Sequence, residues 1–112
     1  MTHDELIAKH PKILGKVALE HGEGWYPLID RLCTFLQWHT DKNEYKQIVA
    51  SQVKEKFGTL RFYTNYDEEG KQAAAIEFAE FLSGSICDVC GAPGKARQGG
   101  GIVTRCDEHA SK

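Results

Sequence analysis

The chain has 112 residues, 41% of them hydrophobic and 27% charged, with a formal net charge of -2 at neutral pH. That length accommodates one domain, or one domain carrying a small metal-stabilised appendage, and excludes two full cores. The near-neutral balance excludes nucleic-acid binding by bulk charge alone, although a local cationic patch stays open.

The opening MTHDELIAKHPKIL carries charge throughout, and no window approaches the ~20 apolar residues of a membrane span, so the expectation is a cytoplasmic protein without a signal peptide. Asp4 to His10 reads as a short helix with Leu6 and Ile7 as apolar contacts and Thr2 or Asp4 as the cap. Pro11 interrupts it, and Ile13, Leu14, Val17 and Ala18 then fall at helical spacing before Gly22. The strongest helix runs from about 25 to 41: Trp25, Ile29, Leu32 and Leu36 recur at helical spacing, and Leu28 and Phe35 widen the stripe. Asp30, Arg31, Thr34 and Gln37 fall on its wetter side, while Gly24 and Pro27 suit its start.

From Ile48 to Tyr66 the period becomes two. Val49, Ser51, Val53, Glu55 and Phe57 would share a face, and Leu60, Phe62, Thr64 and Tyr66 would return after a turn in which Gly58 supplies a positive φ. The acidic run Asp67, Glu68 and Glu69 is a solvated loop in preference to a cation site. A second amphipathic helix follows, from about 71 to 83, with Ala74, Phe78, Phe81 and Leu82 packed inward and Glu77 and Glu80 outward. Ser83-Gly84-Ser85 ends it as a hinge.

The most specific chemistry lies in ICDVCGAPGKARQGGGIVTRCDEH. Cys87-x2-Cys90 and Cys106-x2-His109 are separated by fifteen residues, the knuckle spacing of a zinc site. Lys95 to Arg97 and Ile102 to Arg105 flank a glycine-rich turn and read as a hairpin returning the chain to the metal, as in ribbon-like or treble-clef fingers. Three cysteines and a histidine fill all four positions of a tetrahedron, which favours a structural Zn2+ over a catalytic one. Cys33 lies in the helical stripe and reads as core. His3, His10, His21 and His39 have no matching carboxylate or nucleophile at recognisable spacing and read as surface or packing residues.

The combination GWYPLIDRL, SQVKEKFGTLRFY, CDVCGAPG and CDEH resembles a group of small, mostly uncharacterised proteins encoded by bacteriophages and prophages. That resemblance spans roughly residues 22 to 110 and implies a phage or prophage origin and the ligand set Cys87, Cys90, Cys106 and His109. It implies no activity.

The fold expected is α+β: a β-hairpin or small antiparallel sheet on two main helices in residues 1–85, then a zinc-ribbon or treble-clef-like finger in 86–112. The leading functional expectation is a non-enzymatic, zinc-stabilised binding protein whose partner is a host protein, such as a component of antiviral defence, met in the host cytoplasm. Val89, Pro93 and the Gly99 to Gly101 turn would offer contacts on the finger. One alternative is a nucleic-acid-binding accessory protein using Lys54, Lys56, Arg61, Lys95, Arg97 and Arg105, with Lys46, Phe57, Phe62 and Tyr63 near the first three. A metal-dependent nuclease is the other, although no His or Asn lies between Cys87 and Cys106.

Overall fold

The computed structural model describes residues 1–65 and 69–110; the expected end of the second strand at Tyr66 and the acidic pair Asp67 and Glu68 lie outside the described residues. In chain order the elements are α1 (His3–Lys9), α2 (Pro11–Leu14), β1 (Leu19–Glu20), a 3-10 turn (Glu23–Trp25), α3 (Tyr26–Asn43), β2 (Ala50–Lys56) and β3 (Thr59–Thr64). After these come α4 (Gly70–Ser83), β4 (Lys95–Gln98), β5 (Ile102–Arg105) and a second 3-10 turn (Asp107–His109). The fold class is α+β, as expected.

Helix α1 begins on a capping box: the Glu5 amide donates to Thr2 Oγ1 at 3.1 Å and the Thr2 amide to Glu5 Oε1 at 2.9 Å. Pro11 opens α2 at a position where its missing N–H costs no helical bond. Together these short helices bring Leu6, Ile13 and Leu14 into a core with Trp25, Ile29, Cys33 and Leu36 of the central helix region. The same corner overturns one expectation. Asp30, placed by periodicity on the wet side of α3, is buried, because the α1–α2 junction folds over that flank. His10 Nε2 lies 2.7 Å from its Oδ1, and Lys9 Nζ donates to its Oδ2 at 3.0 Å. Burial raises the carboxyl, but these two partners outweigh it and hold Asp30 below the ordinary carboxylate range.

The main sheet has the order β1-β2-β3. It is mixed instead of purely antiparallel, because Leu19 and Glu20, expected to continue a helical turn, pair in parallel with Val53 and Lys54. The hairpin is present, with Val53 opposite Phe62 on the inward face. Its first strand does not keep one phase: a register shift between Ala50 and Gln52 buries Ala50 and turns Ser51 out. Phe57, expected to share a face with Val53, sits instead in the two-residue turn and is exposed.

Helix α4 is rotated from the expected orientation. Its buried residues are Gln72, Ile76, Ala79 and Ser83, while Ala74, Phe78 and Phe81 are exposed. The reason is the free edge of β3. The buried Leu60 amide donates to Ser83 Oγ at 2.8 Å, and the Phe62 amide to Glu80 Oε2 at 2.9 Å. Gln72 turns inward as well, donating to Thr40 Oγ1 of α3 at 2.9 Å. Polar satisfaction, and not the apolar stripe, sets the face that α4 presents to the sheet.

Removing Ser83 Oγ strands a buried amide, so Ser83→Ala should lower unfolding stability by about 1–3 kcal/mol in denaturant titration, with no loss of apolar volume to account for it. Asp30 gives a second expectation. Its folded carboxyl ionises more readily than the unfolded one, so its contribution is complete above the unfolded value near ~3.9 and disappears as pH falls through the folded value. Stability measured from pH 6 down to about 2 should fall less steeply at the acid end in Asp30→Asn than in the wild type.

Candidate metal centre

Cys87 lies just beyond the end of α4, where an isolated bridge pairs Ile86 with Pro93. The knuckle is closed by the backbone: the Cys87 amide donates to Ala92 O at 2.7 Å and the Gly91 amide to Cys87 O at 2.9 Å. Strands β4 and β5 form the expected hairpin, and Cys106 follows β5 directly. The short 3-10 turn then folds His109 back, its amide donating to Cys106 O at 3.2 Å.

One ligand atom from each of Cys87, Cys90, Cys106 and His109 lies within 4.8 Å of all the others. Cys90 Sγ is 3.8 Å from Cys106 Sγ, Cys87 Sγ is 3.7 Å from His109 Nδ1, and Cys106 Sγ is 3.3 Å from His109 Nδ1. Arms of ~2.3 Å to sulfur and ~2.0 Å to nitrogen make tetrahedral edges of roughly 3.5–3.8 Å. Three of the six edges are close to that length and the rest lie within 4.8 Å, so the four atoms could hold a metal ion, and a donor set of three thiolates and an imidazole suits zinc.

The backbone prepares part of that charge. Burial raises the Cys87 thiol, but amides of Cys106, Cys90 and Val89, with His109, outweigh it and bring the thiol down to about 6. Cys90 receives the Ala92 amide, yet desolvation and the neighbouring sulfurs of Cys106 and Cys87 hold its thiol above the ordinary value. Three thiolates at such spacing repel one another, and a bound cation would offset that repulsion.

The cluster is seated on the core through backbone. Trp25, fully buried, donates its indole N–H to Ile86 O at 2.8 Å, and the Gly24 amide donates to Asp88 O at 3.0 Å. A Cβ on Gly24 would lie 2.1 Å from Cys87 O and 2.7 Å from Gly91 N, so only glycine permits this approach. On the other side Thr104 Oγ1 donates to Gly58 O in the β2–β3 turn. Ser83–Ser85, expected as a hinge, is tied down at both ends, by Ser83 on Leu60 and by the Gly94 amide on Ser85 O at 2.9 Å.

The expected cationic residues divide. Arg105 Nε donates to Asp88 Oδ1 at 3.1 Å, and Arg97 reaches Asp107 Oδ1 at 2.7 Å, so both brace the metal element. Lys95 is exposed. Lys54 and Arg61 oppose each other across the hairpin, with Glu20 beside Lys54, and Lys56 lies two register steps nearer the tip, its Nζ 5.5 Å from the Phe57 ring. On the finger, Val89, Pro93 and Gly99 to Gly101 are exposed, as expected.

Cys33 is buried, and burial together with the Asp30 charge pushes its thiol far up, out of reach of nucleophilic chemistry. The His10–Asp30 contact escaped the sequence because the two residues are twenty positions apart and meet only through tertiary folding. Phe78 and Phe81 escaped because their spacing is that of core residues. Phe57 had a legible signal: it precedes Gly58 between two strands, in a two-residue turn. No described helix is long and apolar enough to cross a membrane.

Loss of the metal should unfold the C-terminal third, because binding energy there is folding energy. Chelation or Cys90→Ser should collapse amide dispersion in NMR spectra from Ser85 onward, and metal analysis of the folded protein should return one equivalent of zinc. Gly24→Ala should destabilise the protein by about 1–3 kcal/mol and accelerate zinc loss to a chelator, since the added methyl collides with the knuckle backbone. Compared with known proteins, the chain matches no family model, no curated protein and no solved structure.

Proposed function

We propose that this chain is a non-enzymatic, zinc-stabilised binding protein that engages a partner protein through the tip of the β2–β3 hairpin. The observation that carries the reading is Phe57. It occupies the first central position of a two-residue turn with φ 54° and is 66% exposed. A bulky side chain in the left-handed region costs about 1–2 kcal/mol relative to residues that tolerate it, and such turns ordinarily take Asn, Asp or Gly there. Here the strain holds a phenyl ring out in water, the arrangement expected of a contact residue.

Lys56 flanks this tip, and Lys54 and Arg61 lie two register steps behind it, a set of cations that fits a partner offering an apolar pocket with an acidic rim. The zinc, in this reading, is structural: four protein ligands leave no open position for a reacting water, which speaks against the nuclease alternative. The resemblance to phage proteins makes a host protein, including a component of antiviral defence, the partner class, met in the host cytoplasm. Nucleic-acid binding has one observation in its favour, the opposed Lys54 and Arg61 with Arg61 Nε buried and lacking an acceptor among the described residues. Under that reading, affinity would fall steeply with salt and with loss of the cations, and would not depend on Phe57.

Phe57→Asn separates stability from binding. The substitution should raise unfolding stability by about 1 kcal/mol in denaturant titration, because Asn accepts the left-handed conformation. In co-purification from lysate of a susceptible host it should release the partner that the wild type retains. A variant that is stabilised yet keeps the same partner would refute the tip as the contact.

A further inference from the structure

The helical layer carries a second surface, on the face of α3 and α4 that the rotation of α4 turns to solvent. Phe78 is 60% exposed, Phe81 74% and Trp38 52%. Between the helices runs a hollow of about 200 Å3 walled by Leu28, Phe35, Phe78 and Leu82, with Arg31 on its margin. Leu28, Arg31 and Leu82 also border a hollow of about 480 Å3 that reaches Ile86, Cys90 and Gly91 at the edge of the Cys/His cluster.

We infer that this face binds a second copy of the chain, forming a two-fold dimer through a four-helix layer. This goes beyond the proposed partner binding, which uses the hairpin tip. The argument is self-complementarity, which a two-fold contact requires of a single patch. The face holds both a projecting knob, Phe81, and hollows roomy enough to receive a phenyl ring. It also holds both charges. Arg31 lines the hollows, and Glu77 precedes Phe81 by one helical turn, on the same stripe of α4. Neither Arg31 nor Glu77 has an ion-pair partner among the described residues. With Phe81 of one copy seated in the hollow of the other, Glu77, one turn earlier on the first copy, would approach Arg31 of the second.

The area supports the same occupant. The exposed parts of Phe78, Phe81 and Trp38 amount to on the order of 400 Å2 per copy. Two copies would bury about 800 Å2 from these rings alone, and the walls of the hollows bring the total towards the ~1,200–2,000 Å2 of a stable interface.

The test is the mass in solution of the full, zinc-loaded chain, by sedimentation equilibrium or light scattering across concentration. The wild type should be a dimer at about 100 μM. Phe81→Glu and Arg31→Glu should each weaken it at least about tenfold, with circular dichroism and zinc content unchanged because both residues are exposed. Combining Arg31→Glu with Glu77→Arg should restore it, an outcome that a merely disturbed fold would not give. Phe57→Asn should leave it intact, so the hairpin contact and the dimer fail or stand separately. A wild-type monomer at that concentration, a dimer indifferent to Phe81→Glu, or a charge swap that restores nothing would each overturn the inference.

Discussion

The constraint on which much of this structure depends is the unpaired edge of β3. A strand at the edge of a sheet exposes amides that must find acceptors, and the Leu60 amide is buried where water cannot supply one. Ser83 and Glu80 supply the acceptors here, one helical turn apart on α4. Their positions fix the rotation of the helix. An alternative rotation would bury Phe78 and Phe81, each gaining roughly 1.5–3 kcal/mol. It would also orphan two amides at about 1–3 kcal/mol apiece and press Glu77 towards the core, where a carboxylate costs more still. The polar side of that balance prevails, and two phenylalanines are left in solvent.

The same contact sets where the metal element begins. Ser83 is the last residue of α4, and Cys87 follows four positions later, so the helix that covers the sheet edge also delivers the first ligand. Trp25 and Gly24 receive it. Trp25 belongs to the core by burial and to the finger by its indole hydrogen bond to Ile86, which joins the hydrophobic core to the metal knuckle in one side chain. The start of the finger is thus anchored from below by Trp25 and the core, and a metal bound by the Cys3His cluster would stabilise it from within.

What the sequence disclosed follows from which interactions are local. The ligand spacing, the glycine-rich turn between β4 and β5, the span of α3 and the positive φ of Gly58 all depend on residues near one another in the chain, and all were legible. The failures were long-range. Glu80 and Ser83 read as surface and breaker residues because their acceptor role requires β3 to lie beside them. Asp30 read as solvated because His10 and Lys9 approach from another helix. The two-residue strand β1 carries too little pattern to be seen, and its parallel pairing with β2 has no local signature. The cluster was legible in identity, since its four side chains were named by spacing, but its seat on Gly24 was not, because a close backbone approach leaves no periodic trace.

The metal element and the hairpin tip are linked by a short path of hydrogen bonds. Thr104, buried in β5, donates to Gly58 O, while the Gly58 amide donates to Glu55 Oε2 at 2.6 Å. A Cβ on Gly58 would lie 3.1 Å from Thr104 Oγ1 and 3.2 Å from Ile102 Cγ2, so the turn is held against β5 as well as bonded to it. A strained residue persists only where its surroundings over-determine the backbone. For Phe57, β5 is a large part of those surroundings, and β5 is held by the segment that ends at Cys106. A metal held by Cys87, Cys90, Cys106 and His109 would therefore do more than close a finger: it would brace the strand against which the left-handed turn is pinned, and so help to keep the phenyl ring of Phe57 presented to solvent.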